Sequence, residues 1–477
     1  MGSAKAKGPP MRRAHRTTRS GKADHPDRPA LAKSLTLAAM SLGFGVVQLD
    51  VTIVNTALNS IGTSLGGGVP ELQWIVSAYT IAFAALILTA GALGDRIGAK
   101  KVFMAGFAIF TAASLVCALA PTALTLIAAR AVQGVGAAIL VPNSLALLNH
   151  VYPDEKERGW AIGIWAAGAS FALTAGPLAG GGLIALVGWR CIFLVNLPIG
   201  LAGLWLVWRY ADETPRSPDR ELDLIGQAAA IGALGCLAGA IIEGGAFGWS
   251  NPWVLAGFGG FAALAALFVF QEGRASQPML PLALFRHGLF TLTSVVGLLV
   301  NVAFYGLIFV LSLYFQRVNG LSPLATGLAF VPMMGATLLA NLLAARATER
   351  FGAPAIIAAG AAISGVGCVA LLDIARGSSY WALCTQMIAL GAGLGLLVPP
   401  LTSALLGSVE KARSGIAAGV LNATRQTGSV IGVALFGSLV GQAKAFIPGT
   451  RESLMISAVL LIGAAAAVAV VGRGRKK

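Results

Sequence analysis

The chain has 477 residues, of which 56% are hydrophobic and 11% are charged, and its mean hydropathy is +0.79. Soluble proteins are about 25% charged, so this composition excludes a soluble globular protein and indicates a membrane-embedded one. The net charge of +15 does not indicate nucleic-acid binding. The basic residues are concentrated at the two termini and in short connections between apolar runs, where they set membrane topology.

A basic arm occupies residues 1–33, with nine lysines and arginines against two aspartates. Its proline, serine and basic content is typical of a disordered segment. We expect it to be cytoplasmic and to contact the headgroups of the lipid bilayer. The apolar run that follows is too long for a cleaved signal peptide.

Fourteen apolar runs reach the length of about 20 residues that crosses a bilayer. With the N-terminus inside, 27 of the 34 lysines and arginines fall in inside segments, five fall outside and two lie within spans. This asymmetry predicts a multi-pass protein of the cell membrane with both termini cytoplasmic. The predicted spans are 34–58, 74–94, 102–120, 123–149, 160–187, 190–209, 223–245, 252–271, 289–315, 323–345, 354–375, 380–407, 415–440 and 451–472.

A short internal repeat divides this all-α chain. The loop after the second span runs from Asp95 to Gly98 and the loop after the tenth from Glu349 to Gly352, both in the order acidic, basic, apolar, glycine. A repeat at equivalent places suggests two related halves of the chain, an arrangement that is typical of transporters. We therefore predict two six-helix bundles, 34–209 and 289–472, with two extra central helices between them in 210–288 and a basic cytoplasmic tail at 473–477.

Two opposite charges lie deep in predicted spans. Asp50 lies about 12 Å and Arg130 about 10 Å from the same membrane face, at a rise of 1.5 Å per residue. A charge at this depth is costly, and pairing lowers the cost. Proton binding to Asp50 would compete with Arg130, and such a pair can couple protonation to helix movement. We therefore hypothesise that Asp50 and Arg130 form a proton-coupling pair.

Four further polar residues lie in or near the ends of spans. Arg425, beside Gln426 in the thirteenth span, either faces a central cavity, interacts with an acidic group or supports the fold. Glu243 and Asp373 lie near the outer ends of their spans. Each either assists proton uptake or attracts a cationic substrate, or is a solvated carboxylate at the headgroups.

No catalytic chemistry is evident in the sequence. The five cysteines include no Cys-x-x-Cys pair and suit packing. No metal cluster, nucleophile–base cluster or P-loop emerges. We therefore expect no enzyme activity, metal or cofactor, and energy from an ion gradient rather than from ATP.

The loop from Gly91 to Lys101 resembles the signature loop of the major facilitator superfamily. In that family the loop acts as a gate on the cytoplasmic side. The resemblance therefore implies that the gate residues of this chain are Gly91, Asp95, Arg96 and Gly98. We expect the glycines to permit a tight turn and Asp95 to cap the following helix. The alternative is a solvated turn that only sets topology.

The fifth span contains a second motif, which resembles the antiporter motif of that superfamily's drug exporters. Its residues are Gly176, Pro177, Gly180 and Gly181. Proline kinks a helix, and the glycines let another helix approach closely. A packed Gly/Pro helix without a transport role is the alternative.

Three more segments extend the resemblance: Leu49–Leu58, Arg130–Gly136 and Trp189–Gly200. The chain is similar to the fourteen-span drug:proton antiporters, in particular to antibiotic-resistance exporters of the methylenomycin type. The resemblance implies a monomeric secondary antiporter that exports drug-like amphipathic molecules in exchange for protons by alternating access. A proton symporter or uniporter of a metabolite is the alternative, and a membrane enzyme or sensor a more remote one.

Overall fold

The computed structural model describes residues 2, 30–219, 222–375, 377–410, 414–441 and 446–474. They form fifteen α-helices. The bounds are α1 Ala30–Leu65, α2 Val69–Ile97, α3 Ala99–Leu119, α4 Ala123–Val151, α5 Glu155–Val187, α6 Cys191–Leu194, α7 Asn196–Tyr210, α8 Leu224–Phe247, α9 Pro252–Arg274, α10 Gly288–Leu313, α11 Pro323–Phe351, α12 Ala353–Ala370, α13 Tyr380–Gly407, α14 Ser414–Val440 and α15 Phe446–Gly474.

Each of the fourteen predicted spans coincides with a helix, the sixth being divided between α6 and α7. Within the described part of the chain, thirteen helices, with α6 and α7 taken together, are long and apolar enough to cross a membrane. The remaining one is α14, whose middle carries Arg425 and Gln426. The helix α1 begins at Ala30, so the arm ends before the predicted boundary at residue 33. Residues 3–29 of the arm and 475–477 of the tail lie outside the described residues.

The two halves of the chain pack their helices in the same order. In the first half α1 packs on α5, α2 on α4, α3 on α4 and α3 on α7. In the second half the equivalent pairs are α10 on α14, α11 on α13, α12 on α13 and α12 on α15. The predicted fold of two six-helix bundles with two additional helices is therefore confirmed.

The repeated loops share a backbone conformation that explains their repeated sequence. Gly98 ends α2 with φ +105° and Gly352 ends α11 with φ +85°. Side chains rarely adopt positive φ, so glycine is the residue suited to both turns. The repeat thus marks two equivalent helix–helix turns.

The halves meet along two seams, α2 with α14 and α5 with α11, and α1 also contacts α10. We call the end of the bundle where α1 terminates the distal end and the opposite one the proximal end. Side-chain hydrogen bonds between the halves in the described residues join Gln73 to Val433 and Ala434, Ser312 to Asn55, Gln316 to Thr56 and Arg317 to Asn59. All of them lie in the distal part, so the halves are held together there.

The inserted helices lie on one seam. α8 packs on both α2 and α14, and α9 packs on α8. Toward the distal end Trp74 Nε1 donates to Glu243 at 3.4 Å. Toward the proximal end the Thr89 hydroxyl donates to Gln227, whose Nε2 donates to the Ala85 carbonyl at 2.9 Å. α8 therefore follows the α2–α14 seam over most of its length.

Candidate functional site

The core of the candidate site is an ion pair between Asp50 of α1 and Arg130 of α4. Arg130 Nη1 donates to Asp50 Oδ2. The two residues are 0% and 1% exposed, so neither charge is solvated from outside. The predicted contact between them is therefore present in the structure.

Two carboxamides complete the hydrogen bonding of the Asp50 carboxylate. Gln133 Nε2 donates to Asp50 Oδ1 at 3.0 Å, and Asn196 Nδ2 donates to the same oxygen at 3.2 Å. The same two nitrogens lie 2.8 Å and 3.3 Å from the hydroxyl oxygen of Ser114. All of these polar residues are buried. Donors on both oxygens stabilise the ionised carboxylate in surroundings that would otherwise disfavour it.

Arg130 is held on several sides. Its Nη1 also donates to Gln133 Oε1 at 2.6 Å, and its Nε donates to the Ile75 carbonyl at 3.2 Å. The guanidinium carbon lies 4.2 Å from the ring centroid of Tyr79 and 5.8 Å from that of Phe193. Aromatic faces attract cations, most strongly where water is absent. The protein thus fixes the position of the arginine as well as that of the carboxylate.

Asn196 reaches Asp50 from the sixth span, near the junction of α6 and α7. α6 ends at Leu194 and α7 begins at Asn196, two residues before Pro198. Proline has no amide hydrogen and suits the first turn of a helix. Val195, between the two helices, keeps helical dihedral angles (φ −59°, ψ −26°), and Asn196 at the start of α7 faces α1. The Asn196 Oδ1 atom is buried and has no hydrogen-bond partner among the described residues.

The antiporter-type motif is a contact surface for two helices. A Cβ at Gly176 or Gly180 would overlap the side chains of Thr52 and Thr56 on α1. A Cβ at Gly181 would lie 2.6 Å from the Pro323 carbonyl of α11. The Thr52 hydroxyl donates to the Leu173 carbonyl at 3.0 Å. The motif thus packs the segment of α1 that follows Asp50 against α5, and α5 against the other half of the protein.

The signature loop lies at the proximal end. Gly94 allows α2 to approach Asn143 of α4, where a Cβ would overlap the side chain, whereas a Cβ at Gly91 would make an ordinary contact with Pro142 at 3.5 Å. Asp95 and Arg96 are exposed. The described side-chain hydrogen bonds to the start of α3 come from the segment after α7. Lys100 N donates to Glu213 Oε1 at 2.9 Å and Ala99 N to Thr214 Oγ1 at 2.9 Å.

Neutralising Glu213 is therefore expected to loosen the start of α3. In a Glu213→Gln variant the amides of Lys100 and Lys101 should exchange hydrogen roughly fivefold faster, because a charge at a helix N-terminus stabilises it by up to about 1 kcal/mol. Hydrogen–deuterium exchange mass spectrometry measures this. The start of α5, capped by Asp154 at Lys156 and Glu157, is the internal control and should not change. Unchanged exchange at α3 would contradict the assignment.

The remaining predicted residues do not join Asp50. Arg425 is half-buried in α14 against the phenol of Tyr305, and Gln426 is buried with its Oε1 lacking a partner among the described residues. Glu243 lies near the distal end with Trp74, and Asp373 is exposed after α12. Gln133, Asn196 and Ser114 were not predicted as site residues. Gln133 and Asn196 lie in the segments Arg130–Gly136 and Trp189–Gly200, which resemble the family. That resemblance was the feature of the sequence that could have indicated them as site residues.

Comparison with known families gives one match that covers most of the chain. A sequence model described as the Major Facilitator Superfamily matches residues 40–432 and 293–477. Among solved structures, the chain is similar to a bacterial homolog of the human lysosomal transporter Spinster. The TM-score is 0.68 at 19% identity, with 94% of this chain and 98% of that chain covered.

Curated relatives match over nearly the full length. The chain is 36% identical to the methylenomycin A resistance protein of Streptomyces coelicolor over 97% of this chain and 98% of the relative. It is 37% identical to the multidrug resistance protein Stp of Mycobacterium tuberculosis over 89% and 78%, and 31% identical to the tetracenomycin C resistance and export protein of Streptomyces glaucescens over 90% and 82%. With this family match and these relatives, the chain belongs to the Major Facilitator Superfamily and, within it, to the drug-efflux transporters.

Proposed function

We propose that this protein is a proton-coupled antiporter that exports antibiotics or other toxic amphipathic molecules by alternating access. The observation that carries the proposal is the fully buried carboxylate of Asp50, ion-paired with Arg130 in the middle of the first half. A carboxylate at this depth is energetically costly, and proteins retain one there mainly for a function such as proton transfer. The names of the relatives, which are antibiotic-resistance and drug-export proteins, support the efflux direction.

Asp50 is the proton-coupling acid in this proposal, and Arg130 is its partner. When Asp50 takes up a proton, the carboxylate loses its negative charge and one oxygen becomes a donor, so at least one of its present donors must turn away. The ion pair then weakens and α1 and α4 are freed from each other. When the proton leaves, the pair re-forms. Each protonation state therefore favours a different arrangement of the two helices.

Movement of α1 would reach the rest of the protein through α5. Thr52 and Thr56, two and six residues after Asp50, pack on Gly176 and Gly180, and Gly181 packs on α11 of the second half. Tight interfaces of this kind shift between discrete arrangements rather than deforming gradually. We therefore assign the antiporter-type motif the role of transmitting the protonation state of Asp50 to the seam between the halves.

The proposed orientation has both termini in the cytoplasm of a cell-membrane protein that acts as a monomer. The distribution of lysines and arginines supports it. The distal end, where the halves are joined by Gln73, Ser312, Gln316 and Arg317, is then extracellular. The state described here is closed on that side. Protons moving inward supply about 2.3 kcal/mol per charge for each 100 mV.

The proposal is tested by a resistance panel. We expect expression in an efflux-deficient host to raise resistance to at least one antibiotic, dye or quaternary cation, and a protonophore to abolish the associated efflux of that compound. Host cells with an empty vector are the control. Efflux that persists after the proton gradient collapses would refute proton coupling. Increased sensitivity, or no change for any compound, would favour proton symport or uniport of a metabolite.

A further inference from the structure

Arg425 is a second arginine in the middle of the helix bundle. It is the twelfth of the 27 residues of α14. No residue of α14 between Ile416 and Val440 is exposed, and the helix is surrounded by α2, α8, α10 and α15. Because four helices surround α14 and none of its residues over this stretch is exposed, we infer that the partly exposed side of Arg425 faces the interior of the protein.

The surroundings of Arg425 contain no counter-ion among the described residues. The described ion pairs are Lys33–Glu157 and Arg130–Asp50. The neighbour of the Arg425 guanidinium is the phenol of Tyr305, a neutral group in the buried cluster that also contains Tyr79. A half-buried arginine without a carboxylate is only partly solvated, and an arriving anion would lower the cost of its burial.

Asp50, the acid that the described residues place at this depth, is already occupied, and the other buried acid, Glu272, lies near the end of α9. Both oxygens of Asp50 accept hydrogen bonds, from Arg130, Gln133 and Asn196. Two arginines and one aspartate in the middle of the spans leave a net charge of +1 there. A cationic substrate would find no free carboxylate at this depth in the described residues, whereas an anionic one would find Arg425.

We propose that Arg425 binds the anionic group of the exported molecule, so that the preferred substrates are amphipathic carboxylates. The proposal rests on the efflux function proposed above and adds the charge of the substrate. A guanidinium presents paired donors that match the two oxygens of a carboxylate. The partly exposed ring of Phe304, 5.0 Å from that of Tyr305, offers an apolar surface for the body of the molecule.

The test uses three dansyl compounds that share one apolar ring system: dansylglycine, an anion; dansylamide, which is neutral; and dansylcadaverine, a cation. The full-length protein is placed in phosphatidylcholine nanodiscs, and binding is followed by dansyl fluorescence. We expect dansylglycine to bind roughly tenfold or more tightly than dansylcadaverine. The carboxylate of dansylglycine can form charge-assisted hydrogen bonds with Arg425, and the ammonium group of dansylcadaverine cannot.

Variants assign this preference to Arg425. Arg425→Gln should remove most of the preference for the anion and leave the affinity for dansylamide unchanged, which also shows that the variant is folded. Arg425→Lys should retain a preference for the anion because the charge remains. Arg451→Gln is the matched control, since Arg451 lies at the start of α15 and donates to the Ile374 carbonyl. It should bind like the unaltered protein.

The outcomes separate this inference from the proposed function. Equal affinity for the three compounds, a preference for the cation, no saturable binding of dansylglycine or an anion preference that survives in Arg425→Gln would each overturn the role of Arg425. Binding at equilibrium does not depend on a proton gradient. Efflux that is insensitive to protonophore would overturn proton coupling and leave the binding preference intact.

Discussion

Replacing Asp50 with asparagine is expected to abolish proton-driven transport and to leave the protein folded and able to bind its substrate. Asparagine has nearly the shape of aspartate but cannot release or take up a proton. Its side-chain oxygen still accepts a hydrogen bond, so the buried donors of Arg130, Gln133 and Asn196 are only partly deprived of partners. The charge of Arg130 loses its partner, and we therefore expect some loss of stability.

Reconstituted proteoliposomes provide the measurement. Transport is driven first by an imposed pH gradient and then, without a gradient, by exchange of labelled for unlabelled substrate. Asp50→Asn should fall to the level of empty liposomes in the first assay and retain exchange in the second. Glu452→Gln, which neutralises an exposed carboxylate of α15, is the matched control and should be active in both. Undiminished gradient-driven transport in Asp50→Asn would refute the role of Asp50.

Adding a methyl group at Gly176 is expected to impair transport more than membrane insertion. The new Cβ would collide with the hydroxyl of Thr52 and lie 3.1 Å from the amide nitrogen of Ile53. Overpacking of a tight interface costs about 1–3 kcal/mol. Because α1 and α5 are in contact here, the added group pushes apart the two helices that move together in the proposed mechanism. We expect Gly176→Ala to lower the efflux rate and Gly176→Val to abolish efflux.

Two further variants separate transport from folding. Gly182→Val is the matched control, since a Cβ at Gly182 has nothing within 4 Å, and it should transport normally. Thr52→Ala removes the hydroxyl that the new methyl group meets, so the double variant Gly176→Ala/Thr52→Ala should recover part of the lost rate. Efflux is compared with the amount of monodisperse protein extracted from membranes. If activity falls only in proportion to protein level, the motif is structural here.

The spans were predictable from the sequence because each is a long apolar run and the basic residues alternate between the two sides. The similar depth of Asp50 and Arg130 in two helices gave the hypothesis that they pair, and the contact between them is seen only in the structure. The sequence did not indicate that Asn196 would join this pair, because that depends on the rotation of α7 relative to α1. The sequence also did not indicate that Glu213 caps α3, because the two residues that meet there are more than a hundred positions apart in the chain. Contacts of this kind depend on how helices are turned toward each other.

The path of α8 has a consequence for the two seams between the halves. The α2–α14 seam is screened from the bilayer by α8, which follows it from Trp74 to Thr89, and α9 lies outside α8. No inserted helix packs on the α5–α11 seam in the described residues. The pseudo-symmetric pair of seams is thereby made unequal. Of the two junctions between the halves, the α5–α11 seam is therefore the one that no inserted helix covers in the described residues, and it is the side on which the tightly packed glycines of α5 lie.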